Sequence, residues 1–176
     1  MPANICYDKG LLQRQSFPKI LEIVMKIGIA ADHGGFTLKQ QLLHLLNAEG
    51  YHITDFGAKV LDQEDDYPDY IAPLARAVST GLIDRGIAVC GSGVGAAIVA
   101  NKFKGVRAAL ITETYSAHQG VEHDELNLLC LGGRVIGPEL AKEILFAFLH
   151  AHYSGEARHQ RRLGKLEKIE NDSFKK

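Results

Sequence analysis

The amino-acid sequence predicts an α/β protein, a three-layer αβα sandwich whose five-stranded parallel sheet carries helices on both faces and is followed by a C-terminal helical tail. Two patterns predict this fold. Short apolar runs alternate with segments in which apolar residues recur at helical spacing, as in repeated βαβ units. The internal apolar runs are continuously hydrophobic, as expected for strands that are buried on both faces. Right-handed crossovers between such parallel strands make the expected fold Rossmann-like.

The first βα unit shows the pattern most clearly. A strand over 26–31 is followed by Gly34 and Gly35, and leucines at helical spacing then continue to Gly50, which ends the helix. Beyond Gly155 the composition becomes basic and polar but contains many helix formers, so a further helix is expected there. The remaining strands are predicted over 51–56, 86–90, 106–111 and 127–132, and the remaining helices over 67–81, 95–103, 113–122 and 138–152.

A chain of 176 residues, 46% of them hydrophobic, has the size and composition of one compact domain. We assign this domain to residues 25–176, with the tail over 155–176. Residues 1–24 form an N-terminal extension, which is either an added arm or a consequence of start-site choice, because Met25 directly precedes the first strand. No stretch has the pattern of a signal peptide or the length of a membrane span, so we expect a protein that is neither exported nor membrane-bound.

The charge and the cysteines limit the classes of partner. A net charge of −1 provides no overall field for nucleic acid or an anionic membrane, so any anion site must be local. Small molecules and further copies of the chain are the expected partners. Cys6, Cys90 and Cys130 form neither a paired framework nor a CxxC metal pattern, which indicates reduced thiols in a cytoplasmic protein.

The fold predicts where a ligand binds. In open α/β sheets, ligands bind beyond the carboxyl ends of the strands, where the winding reverses. If the strand order begins 2-1-3, the segments "ADHGG" (31–35) and "CGSGVG" (90–95) face each other across one crevice. Tyr67 can approach the same mouth from the loop after the second strand, and His123 can approach it from the other side.

Three interpretations of the glycine-rich segment are open. Gly91, Gly93 and Ala96 fit a G-x-G-x-x-A dinucleotide pattern, with Glu113 at a suitable distance to hold a ribose. The backbone N–H groups of 91–95 could instead bind a phosphate or an oxyanion and favour a reactive Cys90 thiolate. A small buried cysteine at a strand end, with glycines serving the turn, is the third interpretation.

The other polar residues also have structural alternatives. Asp32 could cap a helix, with His33 an exposed loop residue. His118 and His123 are five residues apart, a poor spacing for one helical face, so metal binding is not expected. Arg158 and Arg162 are four residues apart; a helical tail would direct both guanidinium groups to one side, as bidentate phosphate contact requires, unless the tail is merely solvated.

From Met25 to about Ile169 the sequence resembles the family of ribose-5-phosphate isomerase B and the galactose-6-phosphate isomerase subunits. The motifs "DHGGF", "DYPDY", "CGSGVG", "ANK", "KGVRAAL", "LGGRVIG" and "GEARHQRR" occur in the family's order. The resemblance implies an aldose–ketose isomerase of sugar phosphates, with ribose 5-phosphate and ribulose 5-phosphate as the expected pair. It implies no metal and no cofactor. It also implies a homodimer, or a tetramer built from dimers, in which the tail arginines reach the neighbouring site.

The resemblance also implies residue roles. Cys90 is the base that carries a proton between C2 and C1 of the sugar, and Ser92, where the family commonly has threonine, lies near the reacting carbons. His123 opens the sugar ring, and Asp32 and Tyr67 lie around the sugar. The backbone of Gly91, Gly93, Val94 and Gly95 completes the substrate site with Asp124 and Asn127, and the phosphate-binding set is His33, Arg134, Arg158 and Arg162.

One departure from the family affects the choice of substrate. Where the family usually has His-Asn-x-x-Asn, this chain has "HDELN", which retains His123 and Asn127 but places Asp124 where an amide is usual. An amide both donates and accepts hydrogen bonds, whereas an ionised carboxylate only accepts them. A tetrose 4-phosphate, another pentose phosphate, galactose 6-phosphate and allose 6-phosphate are therefore alternative substrates. A non-catalytic module that binds a sugar phosphate or a nucleotide is the alternative from another functional class.

Overall fold

The computed structural model describes residues 25–174, and the predictions for the N-terminal extension 1–24, with Cys6, lie outside this part. The predicted α/β fold with a C-terminal helix is confirmed. The strands are β1 (Ile27–Ala31), β2 (Ile53–Asp55), β3 (Arg85–Cys90), β4 (Ala108–Leu110) and β5 (Leu128–Gly132). The helices are α1 (Phe36–Ala48), α2 (Tyr67–Ser79), α3 (Val94–Ala100), α4 (Thr114–Asp124), α5 (Pro138–His150) and α6 (Ala157–Ser173). Within residues 25–174, no helix combines the length and apolar character needed to cross a membrane.

The sheet is parallel throughout, with strand order β2-β1-β3-β5-β4. The expected 2-1-3 start is confirmed, and β5 lies between β3 and β4. Ala31 pairs with Val89, and Cys90 pairs with Gly132. Because β1, β3 and β5 are neighbours that end at about the same level, the loops that follow them emerge side by side. This adjacency decides which residues form the site.

Two apolar layers hold the helices onto the sheet. On one face, α1, α4 and α5 bury residues such as Leu42 and Phe148 against the strands. On the other face, α2 and α3 bury Leu74 and Ala96. Every residue of β1 and β5 is buried, which confirms the interpretation of the continuously apolar runs as two-sided strands.

The edge strands are shorter than predicted. β2 and β4 each have three residues and pair with a neighbour on one side only. The backbone N–H of Tyr51 donates to Leu46 O, and that of Val106 donates to Phe103 O, so these residues belong to turns. Asn101 ends α3 early, because its side chain bonds to both backbone groups of Ala108 at 2.8 and 3.0 Å.

A buried lysine ties α1 to the second strand. The Lys39 side chain is 0% exposed, and its Nζ donates to both carboxylate oxygens of Asp55 at 2.9 Å and to Ala58 O at 2.7 Å. Three acceptors thus satisfy the three N–H donors of the ammonium group. The contact fixes the start of the segment that leads from β2 to α2, which borders the site described below.

Replacing Asp55 with alanine should lower the free energy of unfolding by about 3–5 kcal/mol, because the buried Lys39 ammonium would lose its counter-charge. Urea denaturation followed by circular dichroism measures the change. Removing both charges in Lys39→Met/Asp55→Ala should be less destabilising than Asp55→Ala alone.

As a control, Glu122→Ala breaks the exposed contact with His118 and should change stability by no more than about 0.5 kcal/mol. If the double variant is no more stable than Asp55→Ala, the unpaired ammonium is not the source of the loss.

Candidate active site

Three loops meet at the carboxyl edge of the sheet with their backbones in contact. A Cβ atom on Gly35 would lie 2.5 Å from Val89 O, and one on Gly133 would lie 2.7 Å from Gly34 O. Only glycine fits such approaches. The Gly133 N–H also donates to Cys90 O at 2.8 Å. The segments after β1 and β3, expected to face each other, therefore do so, and the loop after β5 joins them.

Cys90 is the last residue of β3 and lies at this junction. Its Sγ accepts a hydrogen bond from the Gly93 N–H at 3.1 Å. Gly93 has a φ of +81° and begins α3 as its N-cap, and a Cβ there would collide with Leu110. Cys90 is 4% exposed and packs with the apolar layer beneath α2 and α3. The sulfur is therefore buried, as expected for a small cysteine at a strand end. It also has a backbone N–H donor, as expected if the loop favours a thiolate.

The first turn of α3 brings further predicted residues to the same place. Ser92 is exposed, and its Oγ accepts from the Val94 N–H at 3.3 Å. Tyr67 begins α2, and a Cβ on Gly95 would lie 2.9 Å from its ring. Tyr67, Ser92 and the loop 91–95 thus lie at one mouth.

Asp32 follows β1 and is buried, with 6% exposure. Its Oδ1 accepts from the Gly35 N–H at 3.1 Å, closing a turn before α1, whose N-cap is Gly35. Asp32 is therefore not the N-cap that the structural alternative suggested. Burial raises the pKa of Asp32, and the Gly35 hydrogen bond and the neighbouring His33 oppose that rise.

His33 is held by an acid that the sequence analysis did not single out. Asp65 Oδ1 accepts from the His33 backbone N–H at 2.9 Å and lies 2.7 Å from ring Nδ1. The hydrogen bond to Asp65 raises the pKa of His33 above its ordinary value. The segment "DQEDDYPDY" is rich in acids, and nothing in its composition distinguishes the one that contacts His33.

Asp32, His33 and Asp65 offer three ligand atoms within 4.8 Å of one another. These are residue types that bind metals. However, Asp65 Oδ1 and His33 Nδ1 are already hydrogen-bonded to each other. The arrangement therefore describes a polar network, and the expected absence of a metal stays a prediction.

Arg134 enters the site because β5 neighbours β3. Its backbone N–H donates to Gly91 O at 3.0 Å. A Cβ on Gly91 would lie 3.7 Å from Arg134 Nε, so the guanidinium stem lies along the glycine-rich loop. Together with His33, this exposed arginine supplies cationic chemistry at the mouth, suited to a phosphate.

His123 and Asp124 lie elsewhere in the same chain. They end α4, which runs antiparallel to the strands and leads into the amino end of β5. His123 stacks on buried His159 with ring centroids 4.0 Å apart, and its Nδ1 lies 2.6 Å from Gln119 Nε2. Asp124 is exposed. The expectation that His123 reaches the crevice of its own chain is therefore wrong, because residues just before a strand lie at the edge opposite Cys90.

Asn127 precedes β5 and is engaged by backbone. Its Oδ1 accepts from the Arg107 N–H at 2.8 Å, and its Nδ2 donates to Gly105 O at 2.8 Å. The amide fastens the loops that enter β4 and β5. This geometry gives Asn127 a structural role in place of the substrate contact that we expected.

The tail packs at the amino edge. α6 buries His159 and Leu163 and lies against α4, and its Glu170 accepts from the Gly105 N–H at 2.6 Å. Arg158 and Arg162 are exposed, and Arg158 Nε contacts Glu156 at 2.8 Å. The structure therefore does not bring the tail arginines to Arg134 of the same chain.

Glu113 bears on the dinucleotide interpretation. It is the N-cap of α4, and its carboxylate accepts from the Ser116 N–H at 2.9 and 3.1 Å. A hydrogen bond with the Ser116 side chain is the largest cause that lowers the pKa of Glu113, and the Ser116 N–H adds to it. A carboxylate occupied in capping its own helix is not placed to hold a ribose, which argues against the dinucleotide interpretation.

Comparison with known proteins agrees with the resemblance seen in the sequence. Residues 27–166 match the sequence model of the ribose/galactose isomerase family. Ribose-5-phosphate isomerase B of Escherichia coli is 43% identical over 145 residues, which cover 82% of this chain and 96% of that protein. D-erythrulose-4-phosphate isomerase of Pectobacterium atrosepticum is 41% identical over 132 residues, which cover 75% of this chain and 87% of that protein. The crystal structure of ribose-5-phosphate isomerase B from Mycoplasma genitalium with bound ribulose-5-phosphate matches with a TM-score of 0.80 at 38% identity. The match covers 84% of this chain and 97% of that chain.

Cys90 and Cys130, which are both buried, should differ in reactivity. In a Cys6→Ser background, iodoacetamide should modify Cys90 at least about ten-fold faster than Cys130, because thiolate character and access control alkylation. Cys130 is fully buried, and burial, with a smaller effect of Cys90, raises the pKa of its thiol. Peptide mass spectrometry over a time course measures both rates. Equal rates, or labelling of Cys90 only under unfolding conditions, would show a sulfur sealed from the site.

Proposed function

This chain belongs to the ribose/galactose isomerase family, and we propose that it interconverts the aldose and ketose forms of a phosphorylated sugar, with ribose 5-phosphate and ribulose 5-phosphate as the principal pair. One observation carries this proposal. The Cys90 sulfur lies under the backbone N–H of Gly93, where the loops bearing Asp32 and Arg134 meet. A base, oxyanion donors and phosphate-binding cations at one edge are what the reaction requires.

The chemistry assigns a proton transfer to Cys90. As a thiolate, it takes the proton from C2 of the open-chain aldose, and the electron pair of that C–H bond moves to form the C1–C2 double bond. The C1 carbonyl oxygen becomes the oxyanion of an enediolate. Return of the proton from sulfur to C1, with transfer of the O2 hydroxyl proton to O1, gives the ketose. No net oxidant or external proton is consumed.

The loop over 91–95 stabilises the oxyanion. The first N–H groups of α3 have no acceptor within the helix. Gly93 and Gly95 let Leu110 and the Tyr67 ring pack closely against this loop. Ser92 adds an exposed hydroxyl that can donate or accept. His33 and Arg134 bind the phosphate, and Tyr67 borders the sugar. Each well-placed donor contributes about 2.7–4 kcal/mol to the transition state in comparable oxyanion sites.

A second chain completes the site. Cys90 lies at the carboxyl edge of its sheet, whereas His123, Arg158 and Arg162 lie toward the amino edge of theirs. We propose a homodimer in which these three residues, with Asp124, face Cys90 of the partner chain. His123 then donates a proton to the sugar ring oxygen as its bond to C1 breaks, and the proton lost from the C1 hydroxyl replaces the one that the histidine gave. A tetramer would pair two such dimers.

An apolar surface beside the site supports this assembly. Val94 and Ile98 are one helical turn apart on α3 and both are exposed. Leu110 reaches toward Gly93 from the edge strand β4, and exposed Val135 lies against Gly132 in the loop after β5. Exposed apolar residues clustered at a catalytic mouth are typical of a surface covered by a partner. A two-fold dimer covers this patch on both chains.

A tetrose 4-phosphate is the second candidate substrate. The similarity to D-erythrulose-4-phosphate isomerase of Pectobacterium atrosepticum favours it. Asp124 also favours a change of substrate, because a carboxylate in place of an amide accepts from sugar hydroxyls but donates to none. Galactose 6-phosphate and allose 6-phosphate have one carbon more than ribose 5-phosphate. They complete the set of substrates to be compared.

We expect the reaction to take place in the cytoplasm and to need no cofactor. Cys90 and Cys130 are free thiols, and a catalytic thiol is maintained most readily in a reducing compartment. The proposed proton transfer uses only side chains and backbone of the chain itself. The assay in EDTA described next tests whether a metal is needed.

Wild-type protein in EDTA should incorporate deuterium from the solvent into at least one aldose phosphate. NMR spectroscopy measures this incorporation for a panel of sugar phosphates with four, five and six carbons. Cys90→Ala should lower kcat by about 10²–10⁴-fold or more while the protein stays folded, because no base remains at the reacting carbons. Cys130→Ala, which truncates the neighbouring thiol outside the mechanism, should retain activity.

Activity retained in Cys90→Ala would remove this residue from the mechanism. Binding of sugar phosphates by the wild type without any exchange would identify a non-catalytic module instead.

Mixing two inactive variants tests the shared site. Cys90→Ala and His123→Ala should each be inactive, but after mixing and subunit exchange about one quarter of wild-type activity should return, since random pairing gives about one half heterodimers with one intact site each. Steady-state assays before and after exchange measure this recovery. No recovery, with heterodimers demonstrated by mass spectrometry, would place both residues in one site of one chain.

A further inference from the structure

The contact between Asp65 and His33 has no role in the mechanism above. Asp65 lies in the loop between β2 and α2, and its side chain is 5% exposed. One oxygen, Oδ1, accepts from the His33 backbone N–H and contacts ring Nδ1. The same atom therefore fixes the backbone and the ring of His33.

The contact determines which ring nitrogen faces a ligand. An ionised carboxylate only accepts hydrogen bonds, so Nδ1 carries the proton that lies between the two groups. Nε2 is then the nitrogen left for a ligand, and it donates only when the ring is an imidazolium. The His33 ring is 25% exposed, so it is accessible at the mouth of the site.

The surroundings favour the charged ring. The hydrogen bond to Asp65 is the largest cause of the raised pKa of His33, partial burial opposes it, and the charges of Asp32 and Asp65 add to it. Asp32 and Asp65 are the acids that favour the charged ring, and Arg134 is the cationic group at the same mouth.

The surroundings of Asp65 strengthen the pairing. Its second oxygen, Oδ2, is buried. Tyr70 lies beside Asp65, and its pKa is raised first by burial, then by the charges of Asp65 and Asp62, and also by a hydrogen bond to the Asp65 side chain. A carboxylate so placed lacks water on one side, and the adjacent imidazolium is its counter-charge.

We propose that Asp65 is a positioning residue for phosphate binding, which holds His33 as an imidazolium with its Nε2–H available to the phosphate of the substrate. This inference rests on the proposed function, in which His33 binds that phosphate. A protonated histidine makes a charge-assisted hydrogen bond to a phosphate oxygen, whereas a neutral ring with hydrogen on Nδ1 would present a lone pair to it.

Asp65→Asn separates charge from shape, because asparagine keeps an oxygen that can accept from the His33 N–H. NMR titration should show a lower His33 pKa in this variant, with the His33 signal assigned from the spectrum of His33→Gln. The dissociation constant of inorganic phosphate and the KM for the sugar phosphate should both rise about ten-fold near pH 7.5, with kcat within about two-fold. The increase of KM with pH should begin at lower pH than in the wild type.

Asp62→Asn is the matched control. It removes the same charge from the same loop. Among residues 25–174, the exposed Asp62 Oδ1 accepts only from the Glu64 N–H, a bond that asparagine can retain. The His33 pKa, phosphate affinity and KM should match those of the wild type.

An unchanged His33 pKa or unchanged phosphate affinity in folded Asp65→Asn overturns the proposal, as does an equal effect of Asp62→Asn. If Asp65→Asn does not fold, NMR titration of His33 in the wild type tests the proposal. A raised His33 pKa supports it, and an ordinary or lowered pKa contradicts it. The phosphate and NMR measurements need no turnover. A wild type that binds phosphate through His33 but converts no sugar therefore defeats the proposed function and leaves this inference standing.

Discussion

The site depends on the contact of three loop backbones at the carboxyl edge of the sheet. Gly34, Gly35 and Gly133 allow these loops to approach within distances that no side chain would permit. Hydrogen bonds from the loop after β5 to Cys90 O and Gly91 O then lock the approach. The loops meet through main chain, without side chains between them. Cys90, His33 with its neighbouring acids, and Arg134 are thereby brought together.

The same sheet separates the remaining polar residues from this edge. His123 stacks on buried His159 at the amino edge, and Arg158 belongs to α6, which packs at that edge through His159 and Leu163. These contacts involve buried groups in a well-packed region, so large movements within one chain would break the packing of α6 on α4. Association of two chains brings the two edges together without such movement. Dimerisation is therefore the simplest explanation of why residues at opposite edges of the sheet belong to one set of family motifs.

Much of this arrangement could be predicted from the sequence, and the failures have physical reasons. The apolar runs and helical spacings predicted all five strands, because two-sided burial constrains every position of an inner strand. The lengths of β2 and β4 were overestimated, since an edge strand ends where its single neighbour stops pairing. The place of β5 beside β3 depends on how crossovers pack, which no local pattern encodes. Asp65 was missed for a similar reason, because a contact across 32 positions leaves no periodic signal.

The position of His123, in contrast, was available from the sequence. A residue that follows a parallel strand lies at the carboxyl edge, whereas a residue that ends a helix just before a strand lies at the amino edge. His123 lies at the end of α4, five residues before β5, and Asn127 directly precedes β5, so their positions in the sequence alone placed them away from Cys90. The family motif grouped them with the site because a motif records which residues act together, and does not record which chain supplies them.

The two neighbouring residues after β1 show how the edge is adapted to an anion. Burial is the main cause that raises the pKa of Asp32, whereas the hydrogen bond to Asp65 is the main cause that raises that of His33. Although the causes differ, both shifts act in one direction: the acid tends toward its neutral form and the histidine toward its cation. Each shift makes the mouth more positive than the same residues would be in water. A chain with a net charge of only −1 can in this way hold the cationic groups of His33 and Arg134 at one edge for a phosphate, without a basic surface that would attract nucleic acid.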